Sequence, residues 1–247
     1  PTNMLSSTMT DELKMSTAGR SKVIAVSMKD RGATLPGGHM ADAAYWLTNQ
    51  WITSSYYMDS LPGWVKEFNQ SMDQLYPEIW ETLKPIETYI ESWSDTNSYE
   101  YSFNGQENTV FPYNLSKLMS ENGGINMIKS TPFGNTITTE FAKASILNEK
   151  LGQRGAPDFL SVSYSSPDYM GHMFGPQAKE IQDNYIRMDA ELSDLLDFLD
   201  REIGEGNYLL FLTSDHGGAW VPSHLADLGM PGGYADGEFI QNAENEY

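Results

Sequence analysis

The sequence predicts an α/β fold in which a mostly parallel sheet is flanked by helices. Three short apolar runs have the composition of buried strands, namely "KVIAVS" at 22–27, "FLSVSYS" at 159–165 and "YLLFLT" at 208–213. A long amphipathic stretch separates the second run from the third, and a strand, a helix and a strand in that order form a crossover with parallel strands. The carboxyl ends of parallel strands meet at one edge of the sheet, where such folds bind ligands.

The region from 44 to 115 follows the first strand and differs from the rest, because it carries most of the Trp and Tyr residues and much of the acidic charge. Within it, "AYWLTNQWITSSYYM" predicts a β-hairpin that turns at Asn49 and Gln50, and "GWVKEFNQSMDQLY" predicts a short helix. The next stretch, "ESWSDTNSYEYSFNGQENTVFPYN", is rich in loop residues. We expect 44–115 to be an insertion that caps the sheet edge within one domain of residues 1–247.

Two helices are predicted around the second strand run. Residues 138–152, "TTEFAKASILNEKLG", form the first of them and lead into the strand at 159. In the second, "KEIQDNYIRMDAELSDLLDFLDREIG", the apolar side chains recur at helical spacing: Ile181, Tyr185, Met188, Leu192, Leu195, Leu196, Leu199 and Ile203. Gly204 is expected to end this helix, because glycine adopts the left-handed conformation that follows many helices.

Charge and cysteine content narrow the functional classes. The net charge is −19, with 15 Lys and Arg against 34 Asp and Glu, which argues against nucleic acid or an anionic membrane as the main partner. No run of apolar residues is long enough for a membrane span, and the N-terminus lacks the features of a signal peptide. Because the chain has no cysteine, a metal site must be built from His and carboxylate side chains.

Two pairs of metal-ligand residues follow strand runs. Asp168 and His172 lie in "SPDYMGHMFGP", where we expect a tight loop, and Asp215 and His216 lie in "SDHGG", where two glycines break the strand alternation. Imidazole and carboxylate are zinc ligands. Taken singly, each pair is better explained as an ordinary polar strand end; together, on one predicted sheet edge, they favour a metal site.

A third group of polar residues follows the first strand run. Lys29 and Arg31 alternate in "SMKDRGA", so in extended conformation they project to the same side. An ammonium and a guanidinium suit a tetrahedral oxyanion, which predicts a phosphate or sulfate site, although two solvated cations would look the same in isolation. The remaining histidines, His39 and His224, have no partner pattern, and we expect structural roles for them.

These motifs together resemble the alkaline phosphatase superfamily. The stretches "SDHGG", "SPDYMGHMFGP" and "SKVIAVSMKDRGATLPGGHMADAAYW" are similar to the phosphate-irrepressible bacterial alkaline phosphatases of the Bacteroidetes type, near the type I phosphodiesterase and nucleotide pyrophosphatase enzymes. The resemblance implies a three-layer α/β sandwich, export to the periplasm, small phosphorylated substrates, and two zinc ions in the complete enzyme.

The resemblance also implies roles for individual residues. Asp168 and His172 would bind one zinc, Asp215 and His216 the second, and Lys29 and Arg31 would hold the phosphoryl oxygens. The family's first strand, its Thr or Ser nucleophile and a final His ligand have no match in this chain, which therefore looks like an internal fragment. We expect the isolated chain to be inactive, to hold metal partially or not at all, and to self-associate through a bared sheet edge.

Other functions remain open at the level of sequence. A phosphodiesterase or nucleotide pyrophosphatase of the same superfamily is the nearest alternative, because the aromatic cap could seat a second substituent on phosphorus. A non-catalytic binding module that keeps the fold is another. A sulfatase is disfavoured because no Cys/Ser-x-Pro-x-Arg stretch occurs, and a serine hydrolase because Gly-x-Ser-x-Gly is absent.

Overall fold

A four-stranded sheet forms the centre of the molecule, which a computed structural model describes for residues 4–234. The strand order is β3-β2-β1-β6, where the strands are β1 (Val23–Ser27), β2 (Ala43–Leu47), β3 (Trp51–Ile52) and β6 (Phe159–Ser163). Strand β1 runs parallel to β2 and to β6, and β3 is antiparallel to β2. A second sheet pairs two short antiparallel strands, β4 (Ile79–Trp80) and β5 (Tyr113–Asn114).

Helices cover both faces of the central sheet. The helices are α1 (Met9–Ser16), α2 (Asp30–Gly37), α3 (Gly63–Ser71), α4 (Leu115–Glu121), α5 (Phe133–Glu149), α6 (Ser166–Phe174), α7 (Lys179–Glu202) and α8 (Pro222–Asp227). Helix α2 packs on β1, β2 and β6, where Gly37 allows close approach because a Cβ there would lie 3.3 Å from that of Ala25. Helix α5 packs on the opposite face of β1 and β6. Ile24 and Val26 alternate with Ala25 along β1, so they point to that opposite face and belong to the main hydrophobic core with α5. This is the three-layer arrangement that the sequence predicts.

The predicted hairpin exists, but it belongs to the sheet and not to a cap. Strands β2 and β3 are its two arms, and Trp51 stacks on Phe141 of α5 with ring centroids 4.1 Å apart. Tyr45 and Trp64 also contact the Phe141 ring, so the hairpin and α3 are packed on the same helix. The expected cap boundary at residue 44 is therefore wrong for 44–52, because these residues bury their aromatic rings in the main core. The remainder of the insertion stays a prediction.

A buried carboxylate anchors the segment after β4 to α7. Asp183 is completely buried, and its Oδ2 accepts from Trp80 Nε1 at 2.8 Å and from Arg187 Nε at 2.7 Å. Its Oδ1 accepts from the Leu83 amide at 2.7 Å and from the Tyr89 hydroxyl at 2.6 Å. Two hydrogen bonds on each oxygen and the charge of Arg187 offset the cost of burying this carboxylate.

The third predicted strand, at 208–213, is not formed in this structure. The long helix α7 is present and the chain turns at Gly204, which has a φ of +96°, but the apolar run beyond it lies exposed without strand pairing. Leu209 is 92% exposed and Phe211 is 64% exposed. A strand needs a neighbour to receive its hydrogen bonds, and within residues 4–234 β6 pairs only with β1. The predicted crossover with parallel strands is therefore wrong for this chain as it stands.

Candidate active site

Helix α6 carries the first Asp and His pair. Asp168 lies in its first turn and His172 in its last, so the expected loop is in fact a helix in which the two residues are four positions apart on one face. His172 Nε2 lies 3.3 Å from Asp168 Oδ1. The helix starts just after β6 ends, which places both side chains past the carboxyl end of that strand, and Pro167 is accepted because it stands in the first turn.

The second pair comes to the same place from the irregular segment after α7. His216 Nε2 lies 3.5 Å from Asp168 Oδ1 and 3.8 Å from Asp215 Oδ2. Both imidazoles thus lie next to Asp168, and Asp215 lies next to His216, although residues 208–213 do not form the strand that was expected to lead to them. The two imidazoles and Asp215 are largely exposed, whereas the Asp168 side chain is only 24% exposed.

Lys29 completes the cluster from the end of β1. Its backbone is extended and its amide donates to Ser27 Oγ at 3.1 Å, which directs the side chain past the strand end. Its ammonium forms an ion pair with Asp168 Oδ2 and lies 4.7 Å from the centre of the Tyr169 ring. Tyr169 was not singled out from the sequence, although its position next to Asp168 was a usable signal. Lys29 and Asp168 thus meet at the ends of the neighbouring parallel strands β1 and β6.

Arg31 is placed differently from the expectation. Helix α2 begins at Asp30, so Arg31 stands in its first turn and does not continue the extended conformation of Lys29. Its side chain is exposed, and its amide donates to Asp30 Oδ1 at 2.7 Å. The premise that Lys29 and Arg31 project to one side by strand alternation is therefore wrong, because helical geometry replaces it after Lys29.

The ionisation of the cluster favours an anionic Asp168. Partial burial opposes its ionisation, but the hydrogen bond and charge of Lys29, with the nearby His172 and His216, outweigh burial and lower its pKa. The pKa of His216 is raised by its hydrogen bond to the Gly217 carbonyl and by the charges of Asp215 and Asp168. Asp168 is hence available to a cation at neutral pH, whereas binding at His216 competes with a proton.

The donor types of the cluster fit zinc. Two imidazole nitrogens and two carboxylates are the ligand types that this metal takes when cysteine is absent. The arrangement is incomplete, because within residues 4–234 no three His, Asp or Glu side chains are arranged to hold one ion. One oxygen of Asp168 is instead engaged by the ammonium of Lys29.

The other two histidines lie outside this cluster. His39 bridges Asp11 Oδ2 at 3.1 Å and the Met4 carbonyl at 2.9 Å, which ties the N-terminal segment together. The ring of His224 packs against Trp93, Tyr99 and Trp220. We call these three residues the aromatic group.

Comparison with known proteins identifies the class and then the family. The layered sheet is shared with a solved structure of an alkaline phosphatase, and the relatives that the chain matches include proteins named alkaline phosphatase, which places it in the alkaline phosphatase superfamily. More particularly, residues 3–228 match the model of the type I phosphodiesterase / nucleotide pyrophosphatase family, and the chain belongs to that family. The predicted resemblance is confirmed.

Individual relatives support the same assignment. Alkaline phosphatase PhoV of Synechococcus elongatus is 51% identical over 238 residues, which are 94% of this chain and 43% of that protein. A protein of Myroides odoratus named calcium-transporting ATPase is 51% identical over 253 residues, covering 100% of this chain and 46% of that protein.

None of the helices within residues 4–234 is long and apolar enough to cross a membrane.

The solved structure of wild-type alkaline phosphatase PafA superposes with a TM-score of 0.94 at 40% identity, covering 100% of this chain and 48% of that one. This confirms the predicted fold class. The chain spans less than half the length of the relatives it matches.

Proposed function

We propose that this chain contributes metal ligands and phosphate-binding groups to a zinc-dependent phosphomonoesterase that acts through a covalent phospho-enzyme. The observation that carries the proposal is the convergence on Asp168: both imidazole Nε2 atoms lie within 3.5 Å of its Oδ1, and Lys29 engages its other oxygen. A cluster of one shared carboxylate, two imidazoles and an ammonium at the ends of neighbouring strands suits the chemistry of phosphate esters.

In this proposal each residue has a defined role. Asp168 and His172 hold one zinc, and Asp215 and His216 hold the second. When bound, the two ions supply Lewis acids that stabilise the entering and leaving oxygens of an in-line displacement. Lys29 and Arg31 bind the phosphoryl oxygens, and the attacking hydroxyl of a Thr or Ser comes from outside the residues assigned here.

The spacing of Lys29 and Arg31 supports their role. A solved variant of alkaline phosphatase PafA carries substitutions at a Thr, an Asn, a Lys and an Arg, and its substituted Lys and Arg are two positions apart. Lys29 and Arg31 have the same spacing. Two cations suit a dianionic monoester better than a monoanionic diester, which favours the monoesterase.

The chain by itself is expected to be inactive. With zinc added, purified chain should hydrolyse a chromogenic phosphate monoester no faster than a buffer blank, because no activated hydroxyl is assigned within it. The measurement compares wild-type chain with His216→Ala at equal protein and zinc. Turnover by the wild-type chain that His216→Ala abolishes would show that this chain holds a complete active site.

A phosphodiesterase is the second candidate, and the aromatic group favours it. Trp220 follows His216 by four positions, is 49% exposed, and stacks on His224 at 5.4 Å. An exposed aromatic face that follows His216 so closely in sequence could seat the second ester group of a diester.

The two candidates are separated in the full-length protein. For a monoesterase, we expect monoester turnover to exceed diester turnover and Trp220→Ala to change their ratio little. A diester preference that Trp220→Ala lowers by about tenfold, the value of a lost apolar contact, would favour the second candidate. Ile90→Ala is the control, because it too removes an exposed apolar side chain, but one that lies in the insertion and far from Trp220 in sequence.

A further inference from the structure

Buried serine side chains join the end of β1 to the start of α6. Ser27, the last residue of β1, is completely buried, and its Oγ lies 3.3 Å from Oγ of Ser165, where either hydroxyl can donate. Ser165 is 5% exposed and stands just before α6, three positions ahead of Asp168. One hydroxyl contact therefore spans the two segments that carry Lys29 and Asp168.

The Ser27 hydroxyl also holds the turn that leads into α2. Its Oγ accepts from the Lys29 amide at 3.1 Å, so a single oxygen contacts both segments. A serine hydroxyl has one donor and two acceptor lone pairs, and both contacts fit within that capacity. Because Ser27 is shielded from water, removing its hydroxyl would take one partner from the Lys29 amide and one from the Ser165 hydroxyl.

Helix α2 leaves space for this hydroxyl at Gly32. A Cβ at Gly32 would clash with Ser27 Oγ and would lie 3.1 Å from Ser163 Oγ, which belongs to the residue that pairs with Ser27 across the sheet. Glycine within a helix is less favourable than alanine. Gly32 therefore weakens α2 locally, and what it provides in return is room for the Ser27 hydroxyl.

A second contact repeats this arrangement on the α5 side of the sheet. Ser166 is completely buried, and its hydroxyl donates to Met28 Sδ at 3.7 Å. A Cβ at Gly134 of α5 would clash with Ser166 Oγ. Ser27 contacts Ser165, and the next residue of each segment forms the second contact. Contacts on both faces of the sheet limit how far α6 can slide or rotate relative to the end of β1.

We propose that Ser27 is a positioning residue of the candidate site, which fixes the spacing between the turn after β1 and the start of α6. It thereby holds the Lys29 ammonium next to Asp168, with which that ammonium forms an ion pair. Lysine has a long flexible side chain, so the position of its charge depends on how firmly its backbone is held. Binding groups need placement within about 0.5 Å, and neighbours that touch no ligand supply it.

This inference rests on the proposed function, in which Lys29 binds phosphoryl oxygens. The alternative is that the buried hydroxyl of Ser27 contributes only to stability. Ser145→Ala is the control for that alternative, because Ser145 is a completely buried serine of α5 whose hydroxyl donates to the Phe141 carbonyl at 2.8 Å. Loss of stability alone would lower the Tm in both variants and leave the ligand affinity of the folded protein unchanged.

The test is binding of inorganic phosphate to the zinc-loaded full-length protein, measured by calorimetry and by competitive inhibition of monoester turnover at a temperature well below the Tm of every variant. We expect Ser27→Ala to weaken phosphate binding about tenfold, the lower end of what is lost when a side chain that holds a metal ligand in place is removed. Ser145→Ala should bind phosphate like wild type. In a Lys29→Ala background, Ser27→Ala should have little further effect, because it acts through Lys29.

Gly32→Ala tests the same contact from α2. The added methyl group competes for the place of Ser27 Oγ, so phosphate binding should weaken about as much as in Ser27→Ala, although alanine favours the helix. In the double variant the clash with Oγ is gone, and the affinity should be close to that of Ser27→Ala alone. If Ser27→Ala does not fold, Ser165→Ala removes the same hydroxyl contact.

Two results would overturn the proposal. One is a phosphate affinity of Ser27→Ala equal to that of Ser145→Ala, and the other is a loss that persists in full when residue 29 is already alanine. Phosphate binding by Lys29→Ala that equals wild type would instead contradict the proposed function of Lys29, and this inference would fall with it. The single Lys29 variant therefore distinguishes failure of the proposed function from failure of the positioning role.

Discussion

Asp168→Asn is expected to remove most of the zinc affinity of the chain. Within residues 4–234, Asp168 is the carboxylate that contacts both imidazoles and Lys29, so its loss removes the negative charge that both histidines share. The amide is nearly isosteric but is a weak zinc ligand. The dissociation constant for zinc, measured by competition with a chromophoric chelator at about pH 7.5, should rise by more than the 10- to 100-fold that loss of an outer-shell partner costs.

Asp197→Asn is the matched control for this experiment. Asp197 is an exposed carboxylate of α7, and its substitution removes the same charge from the chain. Wild-type affinity is expected for it. Equal zinc binding by wild type and Asp168→Asn would contradict the assignment of Asp168 as a ligand. The same substitution in the full-length protein should lower monoester turnover without altering the fold, which circular dichroism can verify.

The second large effect concerns association of the chain with itself. In residues 4–234, β6 pairs with a neighbour on one side only, and its five residues are half-buried. The apolar run at 208–213, which precedes Asp215 and His216 in sequence, is largely exposed. An unpaired parallel strand edge and a run of exposed apolar side chains each favour pairing with another chain. We expect the average mass, measured by light scattering, to rise with protein concentration across the micromolar range.

Charge at the exposed run should prevent this association. The double substitution Leu209→Lys and Phe211→Lys adds two like charges to the surface that would meet a partner, and should leave a monomer at every concentration. Leu5→Lys is the control, because Leu5 is 97% exposed but lies near the other end of the chain. A wild-type chain that remains monomeric throughout would contradict the expectation.

Local patterns in the sequence predicted much of this fold. Strands β1 and β6, the hairpin of β2 and β3, and α7 with its end at Gly204 follow from apolar periodicity and turn residues, which act over short distances. The run at 208–213 has the same strand composition as β1, yet it forms no strand, because pairing depends on a neighbour that composition does not specify.

The candidate site was predictable in membership but not in geometry. The Asp and His pairs and Lys29 were identified by residue type and position after strands, and the structure brings them together. Pro167 and Gly171 indicated a loop where α6 forms, because both residues are common in loops but are tolerated in a short helix.

The Asp183 anchor has a consequence for the order of folding. Its bonds to Trp80 and Tyr89 join residues 103 and 94 positions apart, whereas β1 and β2 pair residues only 19 apart. Closing a long loop costs more chain entropy than closing a short one, and the contacts that reward it form only once the loop has closed. The insertion should therefore dock on α7 late, after the β1–β2 pair has formed. Asp183 of α7 gains its hydrogen bonds from Trp80 and Tyr89 only in chains in which the insertion is correctly docked.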